Sequence, residues 1–451
     1  MTLLDPMFGS EVVDRIFSDS TRLQRMLDFE AALARAEAKV GVIPAAAVTA
    51  IARKCDAALF DLGSLATAAI DAGNLAIPMV KQLTDLVARE DQDAARYVHW
   101  GATSQDAIDT GLILQLRDAI EAISASLTRL CPLLEKLAAD HRATPMVART
   151  WLQHAVPTVF GLKVAGWLDA VTRHRLRLEE LRARIFVLQF GGAVGTLASL
   201  GEKGLDVAAA LAKDLDLDLP AMPWHAHRDR IAEVATTLAL LTGTLGKVAR
   251  DLSLEMQTEV AEVFEPAGKN RGGSSTMPQK RNPVASAVIL SAAARVPSLA
   301  ATMLAAMSQE HERGLGGWQA EWETLPELVR LTAGALHRLV ETIAGLEVDT
   351  DRMLRNLEVT HGLIFAEAVS MTLAKHVGKR AAHQIVEAAV RQAVGDKKHL
   401  REVLAVNPEA SRYLSSSDLK SLFEPANYAG MADQFISRAI AASQTSPTEN
   451  R

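Results

Sequence analysis

The sequence predicts an all-α protein of three helical domains built around a long central helix bundle. The chain is 49% hydrophobic but only 4% aromatic, so its core must be filled by Ala, Leu, Val and Ile, the usual filling of packed helices. Apolar residues recur at three- and four-residue spacing over long runs, while strand-like alternation is scarce. At 451 residues the chain is long enough for more than one domain and a large core.

Taken in order, Arg22 to Lys39 carries Leu23, Met26, Leu27, Ala31 and Ala34 on one face and stops at Gly41, with Pro44 beyond. Asp106 through His141 repeats the pattern with Leu112, Leu116, Ile120, Ile123, Leu127, Leu130, Leu134 and Leu137, too long for an ordinary globular helix, and Pro132 is expected to bend it. The runs Val159 to Leu188, Asp229 to Val263 and Val284 to Met307 repeat the theme, giving rods of roughly 25 to 35 residues that can lie side by side in a bundle. Gly191-Gly192-Ala193-Val194-Gly195 lacks the GxGxxG spacing and a preceding strand, so it reads as a connector between helices and not as a phosphate cradle. After about Asp349 the runs shorten, and the tail from Ser443 is polar. The expected domains are 1–110, 111–350 and 351–451.

Charge and cysteine content narrow the function classes. Forty-eight basic against fifty-four acidic residues give a net charge of −6 with no long basic stretch, which argues against nucleic acid or an anionic membrane as partner. Cys55 and Cys131 have no CxxC spacing and no clustered His beside them, pointing to a reducing compartment with neither structural disulfide nor metal site. The N-terminus, Met1-Thr2-Leu3-Leu4-Asp5-Pro6, lacks a basic region followed by an apolar run. No uncharged apolar stretch reads as long enough to span a bilayer, so a cytoplasmic protein is expected.

The chemistry concentrates in residues 268–283. Gly272 and Gly273 open backbone conformations closed to other residues, and Pro278 and Pro283 interrupt helix on either side. A polar surface loop would share these turn formers, but hydroxyl, ammonium and amide groups in one short stretch can also wrap an anionic substrate and transfer a proton.

Gly273-Ser274-Ser275-Thr276-Met277-Pro278-Gln279-Lys280-Arg281-Asn282-Pro283 resembles the signature of the fumarase/aspartase superfamily. Two more superfamily segments follow the expected order, His99-Trp100-Gly101-Ala102-Thr103-Ser104-Gln105-Asp106 and Arg149-Thr150-Trp151-Leu152-Gln153-His154-Ala155-Val156-Pro157. The likeness runs from near Phe17 to about Pro326 and is thinner beyond. It implies a homotetramer whose middle bundles pack into a twenty-helix core, with active sites shared between subunits and no cofactor. By motif, Ser274 is the proton-transfer residue, with Lys280 as the alternative donor, while Lys280 and Asn282 hold the carboxylate that becomes an enediolate. Thr103 and Ser104 resemble the pair that grips another carboxylate. Trp151, Gln153, His154, Ser275 and Arg281 complete the implied substrate contacts, and Lys269 is a further nearby cation.

The departures from the pattern narrow the reaction. Superfamily lyases that expel an amine or hydroxide place a histidine where this chain has Trp151, often paired with a glutamate where it has Ala287, and adenylosuccinate lyases carry a His-Asp pair at the place of Asn74-Leu75. Basic leaving groups depart only when protonated, and losing that acid costs roughly two to four orders of magnitude. A tethered carboxylate needs no such help. The arginine-bearing phosphate segments of adenylosuccinate lyases correspond here to Met7-Phe8-Gly9-Ser10 and to Gly317-Trp318-Gln319-Ala320-Glu321-Trp322-Glu323-Thr324-Leu325-Pro326.

The branch implied is therefore the one that lactonises 3-carboxy-cis,cis-muconate, a small tricarboxylate of protocatechuate breakdown. A 3-sulfomuconate specialist, a fumarate-releasing lyase such as adenylosuccinate lyase using His154 as acid, and a structural protein that kept only the fold are the alternatives. Gln309-Glu310-His311-Glu312-Arg313 reads as a solvated or intersubunit helix end.

Overall fold

The computed structural model describes residues 3–268, 272, 273, 276, 277 and 279–445. Six long helices dominate: α1 (Asp19–Val40), α2 (Ser104–Asp140), α3 (Phe160–Ile185), α4 (Asp229–Glu255), α5 (Val284–Ala305) and α6 (Gly317–Ala344). The Ser18 hydroxyl caps the start of α1 by accepting from the Thr21 N–H, and α1 ends where Gly41 turns left-handed at φ 75°. Helix α2 keeps going through Pro132 for 37 residues, as its apolar repeat demands. Helix α6 has no counterpart among the periodic runs; its first ten residues are the stretch that aligns with a phosphate-binding segment.

The chain divides into two compact units, each assembled from separated segments. The first comprises Met1–Leu127, His174–Gly246 and Val288–Arg338, and the second Thr128–Arg173, Lys247–Ala287 and Leu339–Arg451. Position 110 falls inside α2, and position 350 opens α7 (Thr350–Leu357).

In the first unit α1 buries Leu23, Met26 and Leu27 against Ile51, Met79 and Leu83 of the helices Ala45–Ala52 and Ala76–Ala88. Asn74 caps the latter helix, its side-chain oxygen accepting from the Ala76 and Ile77 N–H groups at 3.0 and 3.2 Å. The same unit encloses a charge: Arg228, fully buried, donates to Asp109 (2.6 and 3.1 Å) and to Glu321 (2.9 and 2.5 Å). The Trp318 indole N–H donates to Asp109 at 3.0 Å, and the guanidinium lies 5.0 Å from the Trp224 ring centre. Trp318 and Glu321, from the stretch aligned with a phosphate-binding segment, are thus core residues that hold α6 to α2.

The second unit contains an antiparallel hairpin of β1 (Pro145–Thr150) and β2 (Gln153–Val159), and a short pair of β3 (Val263–Phe264) and β4 (Glu347–Val348). Sequence alternation misses the hairpin because its register shifts between Val147 and Arg149, which breaks the period of two. Val147 anchors it in an apolar core with Leu357, Phe365, Leu373, Leu400 and Phe423.

Helices α4 and α5 are long and apolar enough to cross a bilayer by length and composition alone, although Glu233 and Lys247 in α4 and Arg295 in α5 interrupt their uncharged runs. Core helices of helical bundles meet the same criterion, and over half of the apolar window of α4 is buried. Both cysteines are buried and neither forms a disulfide.

Two expected outcomes concern stability. Arg228→Met should destabilise the protein by about 3–5 kcal/mol in urea unfolding, because two carboxylates are left buried and uncompensated. Glu37 on α1 is wholly buried and its carboxylate oxygens have no hydrogen-bond partner among the described residues; burial, reinforced by Glu30, pushes it up to about 9 from 4.5. With the folded value raised, the group favours folding only below about pH 4.5, and its cost grows as pH rises towards 9. Glu37→Gln should therefore stabilise the protein by about 1–3 kcal/mol at pH 7.5 and by little at pH 4.5, measured as Tm against pH.

Candidate active site

The first motif segment is held by Asp106. Its wholly buried carboxylate accepts from the backbone N–H groups of Thr103 (3.0 Å), Gly191 (3.0 Å) and Gly192 (2.9 Å), and bonds His225 Nε2 at 2.8 Å. Gly192 needs its left-handed φ of 67°, and a Cβ on Gly191 would stand 2.8 Å from Pro223. The glycine-rich connector spends its N–H groups on a carboxylate of the protein itself, that of Asp106.

This places Thr103 just before Ser104, the first residue of α2, with Ser104 partly exposed. The Thr103 hydroxyl accepts from Arg313 Nη1 at 3.0 Å, and Arg313 Nη2 donates to the Ala193 carbonyl at 2.9 Å. Arg313 thus joins the site candidates, although its stretch reads in sequence as a charged helix end. His99, at an unfavourable φ of 58°, contacts the buried Glu30 carboxylate through Nδ1 at 2.6 Å. Burial works to lower the imidazole pKa, and Glu30 outweighs it, so the net shift is upward.

The second segment is the β1–β2 hairpin. Trp151 and Leu152 form its two-residue turn with φ of 54° and 63°, a left-handed pair that matches strand twist. Trp151 is 98% exposed. Gln153 starts β2, and His154 pairs across the ribbon with Arg149. His154 Nδ1 is buried without a hydrogen-bond partner among the described residues. Burial, then the Arg149 charge, lower its pKa, with Glu262 opposing.

The third segment is the loop. Ser274, Ser275 and Lys269 lie outside the described residues. Gly272 turns at φ 64° and its carbonyl accepts from the Asn282 N–H at 2.8 Å; a Cβ there would meet the Asn282 carbonyl at 2.8 Å. Lys280 is exposed. Arg281 forks onto Glu347 (2.8 and 2.9 Å), donates to the Glu265 carbonyl (2.7 Å) and lies over the Phe264 ring. Its charge is therefore already met by β4. Glu265 caps α5, accepting from the N–H groups of Ala285 (2.9 Å) and Ser286 (2.8 Å) and from the Ser286 hydroxyl (2.7 Å). Among the described residues no cluster of His, Cys, Asp and Glu is placed to hold a metal ion.

The first unit thus presents the Thr103 hydroxyl beside Arg313, and the second presents Gln153 and His154 on the hairpin and Lys280 and Asn282 on the loop. A family model described as lyase matches residues 10–298, and one described as adenylosuccinate lyase C-terminus matches residues 362–439, extending the likeness into the last hundred residues. The chain belongs to the fumarase/aspartase superfamily of lyases. It is 57% identical over 438 residues to the 3-carboxy-cis,cis-muconate cycloisomerase of Bradyrhizobium diazoefficiens, covering 97% of each chain. It is 56% identical to the protein of that name from Pseudomonas aeruginosa, covering 97% of this chain and 96% of that one. The crystal structure of 3-carboxy-cis,cis-muconate lactonizing enzyme from Pseudomonas putida superposes with a TM-score of 0.94 at 53% identity, covering 98% of this chain and 99% of that one.

The raised pKa of His99 contributes stability that is complete below about pH 6.5 and fades as pH climbs through the folded value. His99→Gln should cost about 1–3 kcal/mol near pH 6 and progressively less towards pH 9, read from urea midpoints across that range.

Proposed function

We propose that this chain catalyses the closure of 3-carboxy-cis,cis-muconate to carboxymuconolactone, the cytoplasmic cycloisomerase step of protocatechuate (β-ketoadipate) degradation. The observation that carries this reading is the hairpin turn: where amine-expelling relatives hold a histidine acid, this chain presents Trp151. The neighbouring imidazole does not replace that acid. His154 has a lowered pKa, so it is neutral at pH 7 and suited to donating a hydrogen bond to a carboxylate.

The reaction then needs few groups. One substrate carboxylate oxygen attacks the carbon β to a second carboxylate. A C–O bond forms, the C=C electron pair moves into the second carboxylate as an enediolate, and a proton delivered to the α-carbon completes the lactone. Lys280 and Asn282 hold the developing enediolate, where fixed donors act most strongly. Ser274 or Lys280 supplies the proton, and Thr103, Ser104, Gln153, His154 and Ser275 bind the remaining oxygens. Arg313 adds a cation beside Thr103. Arg281, already paired with Glu347, anchors the loop.

Assembly belongs to the same proposal. The exposed Trp151, and an α5 whose apolar window is only 33% buried within one chain, support a homotetramer. In it the three-domain subunits pool their central helices into a twenty-helix core and complete one another's sites.

Loss of the ultraviolet absorbance of the conjugated diene on adding purified protein is the expected result. Cleavage of adenylosuccinate with the diene untouched would reject the reading. Lys280→Met should lower kcat by about two to four orders of magnitude. His154→Ala should raise KM about tenfold while kcat stays within about threefold, the pattern of a substrate-holding group.

A further inference from the structure

Glu262 belongs to none of the three motif segments. Its side chain is 0% exposed, and its oxygens accept from both Arg149 Nη atoms at 2.8 Å and from Asn356 Nδ2 at 2.7 Å. The backbone around it is equally constrained: its N–H donates to the Glu255 carbonyl, and its carbonyl accepts from the Asp349 N–H, each at 2.9 Å. Ala261, just before it, is held at φ 51°, a conformation alanine avoids. Arg352 and Asn356 of α7 donate to the Glu259 and Val260 carbonyls and hold that turn in place. Strain of this kind persists only where the surroundings over-determine it.

The two ends of this pair lead to two different parts of the site. From Glu262 the chain passes through β3 straight into the loop bearing Lys280 and Asn282. Arg149 stands two residues before the Trp151 turn and is the cross-strand partner of His154. One bidentate ion pair therefore ties the stem of the loop to the hairpin. Stability alone gives no reason for it, since well-packed apolar residues serve as well as a buried ion pair. A planar fork on a carboxylate, however, fixes direction as well as distance.

We propose that Glu262 is a positioning residue for the lactonisation: through the Arg149 fork its carboxylate sets where Gln153 and His154 stand relative to the strand that feeds the catalytic loop. This rests on the reading above that hairpin and loop serve one reaction. The Glu262→Gln side chain keeps the shape and loses the charge that holds the fork.

The test is a kinetic cycle on the full-length protein. Glu262→Gln should lower kcat/KM about thirtyfold in the otherwise native chain, but less than about threefold in a Gln153→Ala/His154→Ala background, because the groups it positions are already gone. Equal losses in both backgrounds, or unchanged kcat/KM, would overturn the proposal. Should Glu262→Gln not fold, Asn356→Ala, which removes one of the three side-chain bonds, passes through the same cycle: a loss confined to the native background supports the clamp, and equal or absent losses overturn it. Amide hydrogen exchange over residues 145–159 reads the clamp without substrate. Acceleration confined to that hairpin is expected, and unchanged exchange counts against the proposal. A native protein that leaves the diene untouched would sink the proposed reaction, while the exchange result still decides the clamp.

Discussion

Asp106 has no exposed surface, yet it is ionisable and fully provided with donors, and the position of Thr103 follows from that. The same arrangement occurs at the other two segments. Glu262 fixes the hairpin through Arg149, and Glu265 fixes the exit of the loop by capping α5. Burying a carboxylate is costly unless several donors converge on it, and donors on separate segments can converge in few ways. Each motif segment is thereby held by a carboxylate whose partners lie within the protein. Without such constraints, loops joining helices of 22 to 37 residues would have no fixed place against the rods.

Arginines follow a related division of labour. Arg228 is used up inside the first unit, Arg149 in the hairpin and Arg281 on β4. Lys280, by contrast, is exposed on the loop, and within the first unit Arg313 touches the Thr103 hydroxyl. The proposed reaction asks for this, since an enediolate is stabilised by charge placed at one end of the substrate. The neutral His154 and the uncharged Trp151 belong to the same logic. In the proposed reaction no basic group leaves, so neither has to supply a proton to one.

Much of the fold is legible in the sequence because helix periodicity is local. The Leu23 to Ala34 stripe, the Leu112 to Leu137 repeat and the Gly41 stop each specify structure within a few turns of chain, and α1 and α2 form where they indicate. The hairpin is not legible, since its register shift breaks the alternation and its burial comes from C-terminal helices. Arg313 looks like any charged helix end. Its partner lies 210 residues away in sequence, and no local pattern records such a pairing.

By itself the sequence determined the helical class and the superfamily, because these reside in residue identity and short-range spacing. Only the tertiary structure decided that the Gly191–Gly192 connector cradles Asp106, that Trp318 and Glu321 are core residues, and that Glu262 joins hairpin to loop. Each of these is a charge or dipole satisfied by a distant segment. Which donors reach a buried carboxylate is settled by how the chain packs, and the order of residues along it leaves that choice open.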